Sequence, residues 1–389
     1  MSRLESLQAA GVSIWLDTLS RELLETGAFG RLVAEDAVTG ATSNPTIFAK
    51  AITGSDRYDA QLHELADTAV ADLREAFFSL ALDDVRRAAE LLRPVYERSA
   101  GRDGFVSFEC TPDLARDTDG TIAQALELWE RLGAPNVMIK VPATPAGLGA
   151  IEQLTRAGVN VNVTLLFSVA RYEQVIDAYL RGLEARARDG ERLEQIASVA
   201  SFFVSRIDVK ADAQLASDSP LRGRVAIANA RIAYQLYLRS FAGERWEVLR
   251  RGGARPQRPL WASTATKDPA YGDVVYVEEL IGPDVVNTMP EATLRAFAHH
   301  GRVARTVDAH AFAAERTLAA AAAAGVDLAR ITAELEGEGV QAFCASYRQL
   351  LDCIQSKLPR IGRGPLAIET PAALTAATPS ARWDPEQPR

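Results

Sequence analysis

Three ionisable side chains each close a short apolar run. Lys140 follows Asn136-Val137-Met138-Ile139, Glu109 follows Phe105-Val106-Ser107-Phe108, and Asp17 follows Ile14-Trp15-Leu16. A lysine set in an apolar strand loses hydration, which disfavours its ammonium form and frees the amine as a nucleophile. Two carboxylates near such an amine supply the general acid and base for carbinolamine formation and carbon–carbon cleavage. Singly, each has an ordinary explanation: a lysine whose ammonium snorkels to water, or a carboxylate that caps or ends a strand. Together on one face of one fold they point to imine chemistry.

Further polar residues stand at comparable positions. Asn162 and Thr164 are two apart in Val161-Asn162-Val163-Thr164-Leu165, so both side chains leave one side of a strand. Interior amides and hydroxyls need partners, which a bound sugar or an ordered water supplies; hydrogen bonding to the strand-end backbone is the competing explanation. Thr42 and Asn44 lie in Thr42-Ser43-Asn44-Pro45, which reads equally as a turn. Ser201, Phe203 and Arg206 close another run, and Ser263 and Lys267 follow the next. Hydroxyls, backbone donors and two cations there suit an anion, without the Gly-Lys-Ser/Thr of a nucleotide loop. For Arg206 and Lys267 the alternative is surface ion pairing. His63, His299, His300 and His310 show no ligand spacing, so neither a metal nor another cofactor is expected.

Something must bring these residues together. Eight short apolar runs alternate with amphipathic stretches: Ser13 to Leu16, Gly40 to Thr42, Phe105 to Phe108, Asn136 to Ile139, Val159 to Leu166, Ile196 to Val204, Arg258 to Ala262 and Asp284 to Asn287. Near-continuous apolar strands separated by helices make repeated βα units with both sheet faces covered. Helices are expected over Thr121 to Leu132, over Ser168 to Arg188 with Ser168 as N-cap, and over Gly223 to Phe241. No Gly-x-Gly-x-x-Gly follows an early strand, which disfavours a dinucleotide fold. The α/β class that fits is a (β/α)8 TIM barrel, whose chemistry sits at the C-terminal strand ends. Additional helices are expected between Arg57 and Ala100, and a continuous C-terminal helical extension from Pro290 to Leu358. Residues 1–358 read as a single barrel domain and 359–389, rich in Pro, Ala, Thr and charge, as a tail.

Composition narrows the partners. The 389 residues carry 43 basic and 51 acidic side chains, a formal net charge of −8, which argues against nucleic acid or an anionic membrane as partner. Small anionic substrates remain open to a few focused cations. Cys110, Cys344 and Cys353 form no Cys-x-x-Cys pair, and the N-terminus lacks an apolar signal core, so a cytoplasmic protein is expected. Nothing chooses between a homodimer and a monomer.

Taken in order, these segments resemble the transaldolase family: Trp15-Leu16-Asp17, Ala41-Thr42-Ser43-Asn44-Pro45, Val106-Ser107-Phe108-Glu109 and Ile139-Lys140-Val141-Pro142-Ala143-Thr144. The likeness continues through Asn162 to Ser168, Ser201 to Asp208 and Ala262 to Lys267, and spans about residues 10 to 358. Tyr276 to Pro283 looks like the longer bacterial subgroup. The resemblance implies a class I, Schiff-base mechanism in the pentose phosphate pathway. Lys140 attacks the ketose carbonyl, Glu109 with a water on Thr164 shuttles protons, and Asp17 takes the hydroxyl proton as the carbon–carbon bond breaks. Asn44 and Asn162 hold the enamine's hydroxyls, while Arg206, Ser263 and Lys267 bind the acceptor phosphate. The implied donor and acceptor are sedoheptulose 7-phosphate and glyceraldehyde 3-phosphate, giving erythrose 4-phosphate and fructose 6-phosphate. Two other readings stay open: a fructose-6-phosphate aldolase-like enzyme, and a barrel kept as a binding scaffold.

Overall fold

The eight apolar runs become eight parallel strands closed into one barrel in chain order. They are β1 Val12–Leu16, β2 Val38–Thr42, β3 Val106–Glu109, β4 Val137–Pro142, β5 Val161–Leu166, β6 Ser198–Phe203, β7 Arg258–Ala262 and β8 Val285–Met289. The computed structural model describes residues 1–67, 72–309 and 311–358; the expected tail from 359 onward and His310 lie outside them. Closure is made by β8 pairing back on β1, from Val12 against Val285 to Leu16 against Met289.

Alternation along the strands divides two layers. Phe108 of β3 packs outward on Phe48, Phe77 and Phe78 of the helix layer, at ring-centroid distances of 5.9, 6.0 and 6.2 Å. Its neighbour Glu109 is thereby aimed inward. Phe202 of β6 likewise meets Tyr172 and Trp261 at 6.2 Å each, leaving Ser201 and Phe203 for the interior. The first two strands approach closely because Gly40 has no side chain: a Cβ there would lie 2.5 Å from the Trp15 indole nitrogen, which donates instead to Asp103 Oδ1 at 2.8 Å.

Helix boundaries follow their caps. The helix expected from Thr121 starts earlier, at Thr118–Leu132, because the Asp117 side chain accepts from Gly120 N. Ser168 accepts from Arg171 N at 3.1 Å and caps Val169–Arg188 as expected. Between β2 and β3 the extra helices are Asp59–Asp67 and the long Leu73–Arg98. The C-terminal helical extension expected from Pro290 to Leu358 is present as three helices, Glu291–His300, Ala311–Ala323 and Leu328–Lys357, so the stretch is not helical throughout. Gly301 ends the first; a Cβ there would lie 2.5 Å from Phe297 Cδ2. Gly325, at φ +94°, turns the chain after the alanine tract, a left-handed conformation that glycine adopts without a side-chain clash.

The last helix crosses the mouth of the barrel. Ser346 shares a 2.7 Å hydrogen bond with Thr46, and Lys357 reaches Asp59 Oδ1 at 2.8 Å. A Cβ on Gly339 would lie 2.9 Å from Leu165 Cδ2, so glycine lets this helix lie against the end of β5.

Candidate active site

Strand register puts the central residues in one row. Glu109 pairs with Lys140, and Lys140 with Asn162, the first at the C-terminal end of β3, the second in the C-terminal half of β4 and the third near the start of β5. Lys140 Nζ donates to the Ser43 carbonyl at 2.9 Å and lies 3.4 Å from Glu109 Oε1. The two side chains are only 6% and 7% exposed. Among the described residues, neither carboxylate oxygen of Glu109 and not the Thr164 hydroxyl has a hydrogen-bond partner. A buried polar atom left unpaired costs about 1–3 kcal/mol, so three beside one amine suit a polar ligand that would pair them.

Burial pushes the Glu109 carboxyl up to about 7; Lys140 pulls against this and the nearby Asp17 charge adds to it. Asp17 is also raised above the usual carboxylate range, chiefly by lost hydration, against the attraction of Lys140 and a hydrogen bond from Thr42. That bond is 2.9 Å long, and Thr42 Oγ1 meets Thr288 Oγ1 at 2.8 Å, so β2 and β8 fix the Asp17 carboxylate. Asn162 is locked across three strands: its carbonyl accepts from Ser201 Oγ at 2.7 Å and its amide donates to Ser107 Oγ at 2.9 Å. Asn44 proves to be an N-cap, its Oδ1 accepting from Ile47 N at 3.0 Å. Only its amide nitrogen is left for a ligand.

At the outer end, Arg206 lies in the helix Ser205–Asp212 with its guanidinium 5.3 Å from the Phe203 ring centroid. Among the described residues neither Arg206 nor the exposed Lys267 has an ion-pair partner; the surface ion pairs given as their alternative are not found. Burial pulls the Arg206 guanidinium below its usual value, with Asp17 opposing. Ser263 lines the same cavity at φ +56°, its hydroxyl 3.0 Å from that of Ser205. All the expected site residues except Glu109 and Asn162 line one cavity of about 140 Å³. Those two lie behind it, against Lys140 and Ser201. Thr288, Pro290, Ala265 and Phe343 also line it. Thr288 follows the point where the eighth strand was expected to stop; carrying the apolar run one residue further finds it. Phe343, on the last helix, had no local signal. Among the described residues no group of three His, Cys, Asp or Glu is placed to hold a metal ion.

Arg206→Ala is expected to weaken use of phosphorylated substrates by about 2–3 kcal/mol, roughly thirty- to a hundred-and-fifty-fold, and to spare free dihydroxyacetone. Lys267→Ala should lose less, since an ammonium meets phosphate as a point charge. Steady-state kinetics on both substrate types check this, and equal losses with and without phosphate would assign Arg206 a structural role.

Comparison with known proteins decides the family. The profile of the Transaldolase/Fructose-6-phosphate aldolase family matches residues 14–354. A transaldolase of Saccharopolyspora erythraea is 50% identical over 361 residues, covering 92% of this chain and 98% of its own. Those of Frankia alni and Thermobifida fusca are 49% and 48% identical, with the same coverage. The chain belongs to the transaldolase/fructose-6-phosphate aldolase family. It is an enzyme, and its transaldolase relatives make it a transferase. The family match runs from β1 into the last helix, so Phe343 falls within it. No helix among the described residues is long and apolar enough to cross a membrane.

Proposed function

We propose that this chain is a cytoplasmic transaldolase of the pentose phosphate pathway, passing a dihydroxyacetone unit from sedoheptulose 7-phosphate to glyceraldehyde 3-phosphate through a Schiff base on Lys140. The observation that carries this reading is the buried Lys140 amine 3.4 Å from Glu109, a carboxyl with no hydrogen-bond partner among the described residues. The unprotonated amine attacks the ketose carbonyl carbon, and the oxygen takes a proton to give a carbinolamine. Glu109, through a water held on Thr164, moves the protons that release that oxygen as water and leave the protonated imine. The protonated imine draws electrons as the carbon–carbon bond one carbon removed from it breaks, and those electrons form the enamine double bond. Asp17 accepts the proton of the departing carbon's hydroxyl, and an aldose leaves. The enamine on Lys140 then attacks the acceptor aldehyde, and hydrolysis by the reverse path frees the new ketose. Arg206, Ser263 and Lys267 hold the phosphate, and Asn44 and Asn162 orient the hydroxyls.

Trapping tests the nucleophile. Borohydride added with fructose 6-phosphate is expected to leave a three-carbon label on Lys140, read by peptide mapping; label elsewhere, or none on an active enzyme, sinks the mechanism.

The family's other activity, simple aldol cleavage, is separated by the enamine's fate. Phe203 lies 7% exposed, with its ring 5.1 Å from that of Phe167, and it has no proton to give. Enzyme with fructose 6-phosphate alone should release little dihydroxyacetone, and erythrose 4-phosphate should restore turnover. Phe203→Tyr places a phenol beside the enamine and should raise acceptor-independent cleavage by at least ~10-fold while lowering transfer. Rapid acceptor-independent cleavage by the unaltered enzyme would favour the aldolase.

A further inference from the structure

A cavity of about 660 Å³ lies at the opposite, N-terminal end of the barrel. It lies between the loop before β3, the first residues of β6, and the helices and loop that lead into β7. Barrels commonly use this end for stability alone, yet this one is neither filled nor plainly greasy. An aromatic ladder runs along the helices after β6, with Tyr237 and Phe241 at 5.3 Å and Phe241 and Trp246 at 4.9 Å. Trp15 and Phe105, 0% and 1% exposed, form the packed floor behind it. Such a lining takes a flat apolar body, and the volume is that of a drug-sized molecule.

The polar groups set the charge of the occupant. Arg102, Arg250, Arg255 and Arg258 line the cavity, against a single carboxylate, Asp284. Asp284 is taken by Arg102 at 2.7 Å, and Arg250 is paired with Glu247 at 2.8 Å. Among the described residues Arg255 and Arg258 have no carboxylate within ion-pair reach. They are held by neutral groups instead: Arg255 by the carbonyls of Ala100, at 2.8 Å, and Gly101, and Arg258 by Ser13 Oγ at 2.7 Å and the carbonyls of Arg102 at 3.0 Å, Val285 at 3.0 Å and Asp284 at 3.2 Å. Two positioned, uncompensated cations thus stand at a pocket of a protein whose net charge is −8. The Tyr237 phenol, in the field of Asp284, Arg258 and Arg102, has no hydrogen-bond partner among the described residues. The rim is also held out of ordinary backbone geometry, with Ala100 at φ 50°, Gly101 at φ 72° and Asp284 at φ 60°. Left-handed non-glycine residues carry strain, and strain of this kind gathers at ligand clamps. At Gly101 the close approach is required, since a Cβ would lie 2.8 Å from the Arg255 guanidinium.

We propose that this end of the barrel is a second ligand site, separate from the catalytic mouth, for a small planar aromatic anion. The ring would lie against the Tyr237–Phe241–Trp246 wall, its acidic group meeting Arg255 and Arg258 and the Tyr237 hydroxyl. A sugar phosphate fits poorly, because the aromatic walls offer its hydroxyls no partners.

The test is a fluorescence titration of the full chain with 8-anilinonaphthalene-1-sulfonate, in the presence and absence of saturating fructose 6-phosphate. One saturable site is expected, unaffected by the sugar phosphate. The neutral analogue N-phenyl-1-naphthylamine should bind at least ~10-fold more weakly, for want of the charge contact. Ala242→Trp, an exposed position on the cavity wall, should obstruct it and weaken the sulfonate by a similar factor. Arg102→Gln, which leaves Asp284 uncompensated beside the pocket, should do likewise. Both variants should transfer at the unaltered rate, showing that they fold. Displacement by fructose 6-phosphate, equal binding of the neutral analogue, or unchanged affinity in both variants would overturn the proposal.

Discussion

Lys140→Met is expected to lower transfer by at least ~10⁴-fold, about 5.5 kcal/mol of transition-state stabilisation, and to abolish borohydride labelling. No second lysine lines the inner part of the cavity; Lys267 stands at its exposed rim. Methionine keeps the length and apolar stem of lysine within the barrel, so the variant should fold, as circular dichroism and a thermal melt will check. Its loss of charge also removes the attraction that restrains Glu109, which should then hold its proton more tightly still. A folded Lys140→Met that retained a tenth of wild-type turnover would end the Schiff-base assignment.

Glu109→Gln carries the second large effect, and pH separates it from mere damage. With the carboxyl raised from 4.5 to about 7 by burial, it is mostly protonated at pH 5 and cannot accept the proton that amine attack must shed. The kcat/KM profile should therefore rise with pH through about 7, roughly tenfold per unit below it. Glu109→Gln should lose this acidic limb and lower the plateau by ~10²–10³-fold. Stability should move the opposite way. The folded state binds this proton more tightly than the unfolded chain, so wild-type stability carries no penalty below pH 4.5 and loses ground as pH climbs to about 7. Over that window the glutamine variant should gain on wild type by up to roughly 3 kcal/mol. Denaturant melts at pH 4.5 and 7.5 read the difference. An acidic limb at the same pH in the variant would assign the titration to another group.

Several features of the molecule were written locally enough to be read without coordinates. The eight strands announce themselves because a strand covered on both faces must be apolar at nearly every position, a pattern that needs no knowledge of neighbours. Ser168 reads as a cap because the hydrogen bond that makes it one spans three residues. The polar residues closing apolar runs, Lys140, Glu109 and Asp17, stand out because an ionisable group there breaks the pattern that packing imposes.

What the tertiary structure alone decided is how those groups meet. That Glu109 faces Lys140 and Lys140 faces Asn162 is a matter of strand register, set by the closure of the whole barrel. The protonation of Glu109 and Asp17 depends on lost hydration, a property of every surrounding atom rather than of the segments that carry them. The break of the C-terminal extension into three helices was missed because alanine-rich periodicity runs up to Gly325 without saying how the chain must turn to come back. Phe343 reaches the mouth, and the arginines gather at the far end, through contacts between residues distant in sequence. Periodicity records which face of an element is buried; which other element covers it is settled only when the chain closes on itself.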